Sequence, residues 1–141
     1  MKPIHIISFL TLFTAWCSIL LLGFWELYPY KIVDFKKSPY PILNANKTVK
    51  AGDILVYTVD ACKYLDINPD LKKFMVDGVI YELSDSVGAV EKGCRVTKID
   101  VWIPHSIPPG NYRMEFVARY QVNPIRVIQY INYSEPFTVT K

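Results

Sequence analysis

Hydrophobic and polar positions divide the chain into an unbroken apolar run at the N-terminus and a longer part in which the two kinds alternate. From Ile4 to Trp25 the sequence contains no Asp, Glu, Lys or Arg. A helix of that length, at about 1.5 Å per residue, matches the ~30 Å hydrocarbon core of a bilayer. Pro29 cannot continue such a helix. The pattern predicts a short tail over residues 1–3 and a transmembrane helix over residues 4–28.

Aromatic side chains cluster where the apolar run ends. Trp25, Tyr28 and Tyr30 carry rings of the kind that lie at a headgroup interface, and we expect them to act as membrane-interface anchors. A cleaved signal peptide is the alternative, but its apolar region normally spans about 7–15 residues and ends at a small-residue cleavage site. The run here is longer and no such site follows the leucines. A signal anchor is favoured, with the lipid bilayer as a partner.

The rest of the chain follows the two-residue period of strands with one buried face. The clearest case is NYRMEFVARYQV, in which apolar and polar side chains alternate. Its inward positions are expected to be Tyr112, Met114, Phe116, Ala118 and Tyr120. The same alternation recurs at Leu55, Tyr57 and Val59, and again at Thr97, Ile99, Val101 and Ile103. These segments predict antiparallel strands around one core.

Turn signals set the boundaries of these strands. Asp77-Gly78 between two apolar runs predicts a β-hairpin with a two-residue type I′ turn. Prolines in residues 29–46 interrupt regular pairing, so this segment is expected to be a stalk that spaces the domain from the bilayer and ends in a first edge strand. Residues 47–141 are then expected to form one all-β domain, an antiparallel β-sandwich of about seven or eight strands.

The segment IPPGNYRMEF, Ile107 to Phe116, resembles the turn and strand entry of immunoglobulin-like and fibronectin-type domains. Over residues 39–141 this resemblance implies an immunoglobulin-like sandwich with Tyr112 as a tyrosine-corner residue. The chain departs from the family because no Trp lies between Cys62 and Cys94, and because Cys94 precedes the Tyr112 strand. The short anchor, the FWELYPYK flank and the single sandwich also resemble small membrane proteins encoded by bacteriophages.

Cysteine usage bears on the compartment. Cys17 lies in the apolar run, which leaves Cys62 and Cys94 as the natural pair. A bridge between them would stabilise the domain by roughly 3–4 kcal/mol and would imply an oxidising compartment; two free buried thiols are the alternative. Lysines on both flanks of the apolar run do not settle its orientation. Because of the cysteine pair, and because the N-terminal tail is too short to be the functional part, we expect the C-terminal domain to lie outside the cytoplasm, in the periplasm, on the cell surface or on a virion membrane.

Charge and composition exclude some classes of function. Hydrophobic residues make up 51% of the chain and charged residues 21%, which argues against a disordered protein. The net charge is only +3, with acidic and basic residues interspersed. Because nucleic-acid binding needs several clustered phosphate contacts, we expect no nucleic-acid partner.

Few residues suggest chemistry. Asp66, Asn68 and Asp70 reproduce the alternating oxygen ligands of a calcium loop, which makes them a candidate metal site. However, Leu71 occupies the position that requires Gly in such a loop. An ordinary turn rich in Asp and Asn is therefore favoured over this metal site. His105 lies on a proline-rich turn with no evident nucleophile and base beside it. We therefore expect no catalytic residues, no cofactor and no enzymatic activity.

The expected function is a membrane-anchored, non-enzymatic binding or structural module. Tyr120, Tyr130 and Tyr133 are a candidate contact patch, with core packing as the alternative. The protein partner is of unknown identity, and a second copy in an oligomer is one candidate. A phage origin would make the chain a virion or host-envelope component, or else a superinfection-exclusion or host-modulating membrane protein. A metal-dependent or hydrolytic envelope enzyme is the alternative from another class.

Overall fold

A computed structural model of the chain describes residues 3–83 and 91–141, with side chains from residue 8 onward. The elements are α1 (Pro3–Leu27), β1 (Val33–Phe35), β2 (Thr48–Lys50), β3 (Ile54–Lys63), β4 (Asp70–Val76), β5 (Ile80–Leu83), β6 (Gly93–Trp102), β7 (Gly110–Asn123), β8 (Arg126–Tyr133) and β9 (Phe137–Thr140), with a 3₁₀ turn at Ala45–Lys47. The prediction of a mostly β chain with one N-terminal helix is confirmed, and the described residues form nine strands.

The helix α1 is long and apolar enough to cross a bilayer over Ser8–Leu27, and none of that window is buried against the rest of the protein. Its hydroxyl side chains bond to their own helix: Thr11 donates to the Ser8 carbonyl and Thr14 to the Thr11 carbonyl, both at 2.9 Å. Such bonds satisfy polar groups internally, as hydrocarbon surroundings require. A helix of this kind is typical of a membrane span and also of a signal sequence.

The strands form two open sheets. One has the order β1-β3-β6, and the other has the order β2-β9-β7-β4-β5 with β8 also paired to β7. All pairs between these strands are antiparallel except β2 with β9. Strands β8 and β9 follow each other along the same edge of β7, since β4 occupies the opposite edge. The pattern of pairing makes β7 the central strand of the larger sheet.

The inner faces of the two sheets share one hydrophobic core. The ring centroids of Tyr57 in β3 and Phe116 in β7 are 4.9 Å apart, and the ring centroid of Tyr40 is 5.2 Å from that of Phe116. The five predicted inward residues of β7 are all buried, as predicted. A second, smaller cluster lies at the end of the domain nearest the helix and contains Ile32, Val33, Ala118 and Tyr120. Burial of both clusters is the main force that holds the sheets together.

The segment predicted as a stalk, residues 29–46, is instead part of the domain. Ile32 is fully buried, and β1 pairs with β3. Tyr40 then bridges to Ser134 at the β8–β9 junction, and Ile42 bridges to β3. The segment therefore contacts both sheets, because its apolar residues find partners on strands distant in the sequence. Only a few residues separate the end of α1 from the buried part of the domain.

The β4–β5 hairpin forms where predicted, but its turn differs. Val76 pairs with Ile80, which leaves a loop of three residues, Asp77 to Val79. Within this loop a positive φ, 78°, occurs at Gly78 and not at Asp77. The type I′ prediction is wrong because that turn needs positive φ at two adjacent residues.

The hydroxyl of Tyr112 closes the turn that enters β7. It donates a hydrogen bond of 2.8 Å to the carbonyl of Pro108, and the side chain is buried. We expect Tyr112→Phe to lower the free energy of unfolding by about 1 kcal/mol or more, since it removes the hydrogen bond to Pro108 together with the hydroxyl's side-chain hydrogen bonds to Asp77 and Tyr81, and leaves the ring in place. Urea unfolding in detergent micelles measures this change.

The matched control for this variant is Tyr133→Phe, because the Tyr133 ring is exposed. Its effect is expected to stay within about 0.5 kcal/mol of zero. Equal stability of Tyr112→Phe and the unchanged protein would show that the hydrogen bond does not stabilise the turn.

Candidate functional site

A disulfide joins the two sheet-forming cysteines. Cys62 of β3 lies directly opposite Cys94 of β6, and their sulfur atoms are bonded. This bridge confirms the predicted pair and removes the alternative of two free thiols. Since side chains alternate along β3, Cys62 points to the face opposite Leu55 and Tyr57. The bridge therefore lies on the outer face of the three-stranded sheet and crosslinks neighbouring strands, away from the shared core.

The C-terminal turn of α1 contacts the tip of the β7–β8 hairpin. The last carbonyl groups of a helix have no partner within the helix. Here the Asn123 side-chain amide donates to the Trp25 carbonyl at 2.9 Å, and the Arg126 guanidinium donates to the Tyr28 carbonyl at 2.7 Å and also to that of Glu26. A cation and an amide thus satisfy the negative end of the helix dipole.

The three predicted membrane-interface anchors meet at this junction. Tyr28 packs between Phe24 and Tyr30, with ring centroids 5.1 Å and 4.9 Å away. Trp25 provides a carbonyl that the hairpin binds. Tyr30 packs against the second hydrophobic cluster, and the Arg126 guanidinium lies 5.9 Å from the centre of its ring. The junction is therefore a continuous aromatic and cationic surface between helix and domain.

Sequence reasoning missed Asn123 and Arg126. The Asn-Pro dipeptide at Asn123 signals a turn, but the contact with the helix spans 98 residues of sequence. No local pattern specifies such a contact. The two-residue turn, Pro124 and Ile125, leaves Ile125 51% exposed, and Val127 just beyond it is 53% exposed.

We expect Arg126→Ala to loosen the junction. A hydrogen bond from a charged donor contributes about 1.5 kcal/mol at the lower end of its range, which corresponds to about a tenfold change in an opening equilibrium. Endoproteinase Lys-C should therefore cleave the protein in micelles after the exposed Lys31 about tenfold faster in this variant. The cleavage rate at Lys31 is read by mass spectrometry.

Arg119→Ala is the matched control for this test. Arg119 is an exposed arginine of β7, four residues before Asn123, and its Nε donates to the Gln129 side chain at 3.3 Å. Its variant should be cleaved at the rate of the unchanged protein. Equal cleavage of both variants would mean that Arg126 does not hold the junction closed.

The three tyrosines of the predicted contact patch do not share a surface. Tyr120 is buried in the second cluster and packs edge-on against Tyr130 at 5.8 Å, whereas Tyr133 is exposed on the other face of the sheet. Burial raises the pKa of Tyr120 to about 12, so its hydroxyl stays neutral even at an alkaline pH where a free tyrosine ionises. The exposed outer face of β8 instead consists of Val127, Gln129, Ile131 and Tyr133.

The residues of the predicted calcium loop face a lysine. The buried Lys63 ammonium donates to the Asn68 side chain at 3.3 Å and lies 3.9 Å from the Asp66 carboxylate. Asp70 begins β4, where its backbone lies opposite that of Arg119 in β7. Among residues 3–83 and 91–141, no group of three or more His, Cys, Asp or Glu side chains is arranged to hold a metal ion. His105 is exposed beside Gly52 and Trp102.

Two small cavities lie between the sheets. Their volumes are about 70 and 100 Å³, and both are lined by Phe35, Val59, Ile99 and Tyr120. Most of the lining is apolar. Cavities of this size can hold a few atoms of an apolar group but no drug-sized ligand.

No family model matches the chain, and no curated protein matches it. Among solved structures, a part of the Pseudomonas fluorescens alkylpurine DNA glycosylase AlkC bound to DNA containing an abasic site analog is similar, with a TM-score of 0.44 and 8% identity over 80% of this chain. A part of the Listeria innocua β-glucosidase in complex with isofagomine is also similar, with a TM-score of 0.39 and 15% identity over 78% of this chain.

These neighbours require one correction. Both are enzymes, which contradicts the prediction that the chain has no enzymatic activity, and that prediction is not kept. The chain spans 32% of the glycosylase and 16% of the glucosidase. At such TM-scores and identities neither activity nor substrate passes from these proteins to this chain.

Proposed function

We propose that the chain is a single-pass membrane protein whose helix α1 anchors an immunoglobulin-like domain outside the cytoplasm, where the domain serves as a binding or structural module for another protein. The observation that carries the proposal is the direct attachment of a disulfide-bonded β domain to the end of an apolar helix. The helix supplies a bilayer-spanning length, and the bridge indicates an oxidising compartment.

Two features support the immunoglobulin-like assignment. The two sheets share one core, and the Tyr112 hydroxyl bonds back to Pro108 as a tyrosine corner does. One feature departs from antibody domains, because the Cys62–Cys94 bridge lies within one sheet instead of between two. The proposal therefore concerns the sandwich architecture without the central disulfide of antibodies.

The outer face of β8 from Gln129 to Tyr133 is the surface that we assign to the protein partner. The side chains of Ile131 and Tyr133 are 47% and 41% exposed there. In the described part of the chain, the backbone of β8 from Val127 to Asn132 pairs with β7 on one side and with no strand on the other. An apolar stripe on an edge strand offers both buried area and free backbone groups to a second protein. A phage-encoded chain would present this face on a virion or in the host envelope, or would use it for superinfection exclusion. Detection of the chain in purified virus particles would distinguish the virion role from the other two.

Photo-crosslinking tests the binding surface. A benzophenone amino acid in place of Ile131, in native membranes, is expected to capture one dominant extracytoplasmic or virion protein. The control replaces Lys98, which is exposed on the outer face of the other sheet. Equal capture from both positions, or capture of cytoplasmic proteins, would contradict the proposal.

Thiol counting tests the compartment. In acid-quenched cells without reductant, a maleimide polymer is expected to add once, at Cys17, because Cys62 and Cys94 are bonded. After reduction it should add to all three cysteines. Three additions before reduction would place the domain in a reducing compartment, since cytosolic thiols are kept free.

A further inference from the structure

We propose that the tip of the β7–β8 hairpin is a second membrane contact, in which Ile125 and Val127 enter the boundary between headgroups and acyl chains beside the end of α1. This inference rests on the proposed anchoring of α1 in a bilayer. It adds a contact that holds the domain against the membrane surface.

The hydrogen bonds at the junction determine the depth of the tip. Asn123 and Arg126 bind carbonyl groups of Trp25, Glu26 and Tyr28, so the tip lies level with the last turn of the helix and the residue after it. Aromatic residues at the end of a membrane span lie in the headgroup region. While these bonds hold, the tip remains in that region.

The chemistry of the tip suits this location. Ile125 and Val127 are 51% and 53% exposed, and the neighbouring helix end adds the exposed Leu27. The Ile125 backbone N–H donates to the Asn123 side chain at 3.1 Å, and Pro124 has no backbone N–H. Because backbone polar groups must be satisfied near hydrocarbon, a turn with these internal bonds can enter the boundary at low cost.

The opposite end of the sheet provides a matched comparison. Val79 in the β4–β5 loop is 57% exposed, so it resembles Ile125 in exposure and in its place on a hairpin tip. However, the two tips lie at opposite ends of β7. The β4–β5 loop starts beside Arg113 of β7, whereas the β7–β8 tip follows Asn123. At about 3.3 Å per residue these points of β7 are about 30 Å apart. Val79 should therefore lie in water.

The test uses the full chain with Cys17→Ser, so that only an added cysteine takes the probe and the Cys62–Cys94 bridge is kept. Ile125→Cys and Val79→Cys are labelled with the environment-sensitive fluorophore NBD and reconstituted into phosphatidylcholine and phosphatidylglycerol vesicles. Emission wavelength and quenching by lipids spin-labelled near the top of the acyl chain are measured. Alkaline carbonate extraction of the same vesicles reports whether α1 is inserted.

We expect blue-shifted emission and strong lipid quenching at position 125, and water-like, unquenched emission at position 79. Water-like emission at both positions in chains that resist extraction would overturn the hairpin contact and leave the anchor intact. A blue shift at position 125 without lipid quenching would also overturn it, because the tip would then be covered by protein. Extraction of the chain would overturn the anchor, and the hairpin contact with it.

Discussion

Replacing Phe116 with Ala is expected to lower the free energy of unfolding by about 3–5 kcal/mol. Phe116 lies where the two sheets meet, with its ring centroid 5.2 Å from that of Tyr40 and 4.9 Å from that of Tyr57. Its truncation opens a cavity that these rigid rings cannot fill, and both sheets lose contact area. Urea unfolding in micelles, followed by fluorescence, measures the change.

Val96→Ala is the control for this variant. Val96 is an aliphatic residue on a strand, but it is 66% exposed on β6, so the expected change is within about 0.5 kcal/mol. A loss of the same size in both variants would mean that the sheets are not held together at Phe116. A much smaller loss at Phe116 would mean that the core closes around the missing ring.

Removing the disulfide is the second change with a large expected effect. Cys62→Ser combined with Cys94→Ser is expected to lower the free energy of unfolding by about 3–4 kcal/mol, because the bridge closes a loop with a sequence separation of 32. Cys62 is buried, but the bridge lies outside the shared core and serine is close to cysteine in size, so loss of packing should add little. Urea unfolding without reductant provides the comparison with the unchanged protein.

Cys17→Ser serves as the control, because Cys17 is an exposed free cysteine of α1. This variant should unfold like the unchanged protein. Addition of a reductant should reproduce the effect of the double variant in the unchanged protein and leave the double variant itself unaffected. Equal stability of the double variant and the unchanged protein would refute the role given to the bridge.

Local periodicity was sufficient to predict the strands that carry the core. In β7 the two-residue alternation identified every inward residue, including Phe116, because a strand with one buried face repeats with that period. The apolar run likewise predicted α1, which begins at Pro3 and ends at Leu27, within a residue of the predicted bounds. The disulfide followed from the number and placement of the cysteines.

Contacts between distant segments could not be predicted in the same way. The prolines of residues 29–46 signalled interrupted pairing correctly, yet the burial of Ile32 and Tyr40 depends on strands far along the chain. The bonds from Arg126 to the helix end belong to the same class. Side-chain bonds over such separations leave no periodic trace in the sequence.

The tyrosine patch is a different case, since the strand period itself separates its members. Tyr130 and Tyr133 are three positions apart, and an odd separation on a regular strand places two side chains on opposite faces. Tyr120 already belonged to the inward set of β7. The structure agrees with this parity: Tyr120 and Tyr130 pack together, and Tyr133 is exposed.

The missing spacer between α1 and the domain limits the reach of an anchored protein. Ile32 is already buried in the domain, and Arg126 binds the carbonyl of Tyr28, so hardly any free chain remains in which the domain could swing. A flexible tether would let a binding surface sample a wide volume at a low local concentration. With α1 in a bilayer, as proposed above, a domain seated on this helix would keep its surface within one domain length of the membrane. Partners of the binding module proposed above would therefore have to come to that height, either as neighbours in the same membrane or as proteins that project close to it.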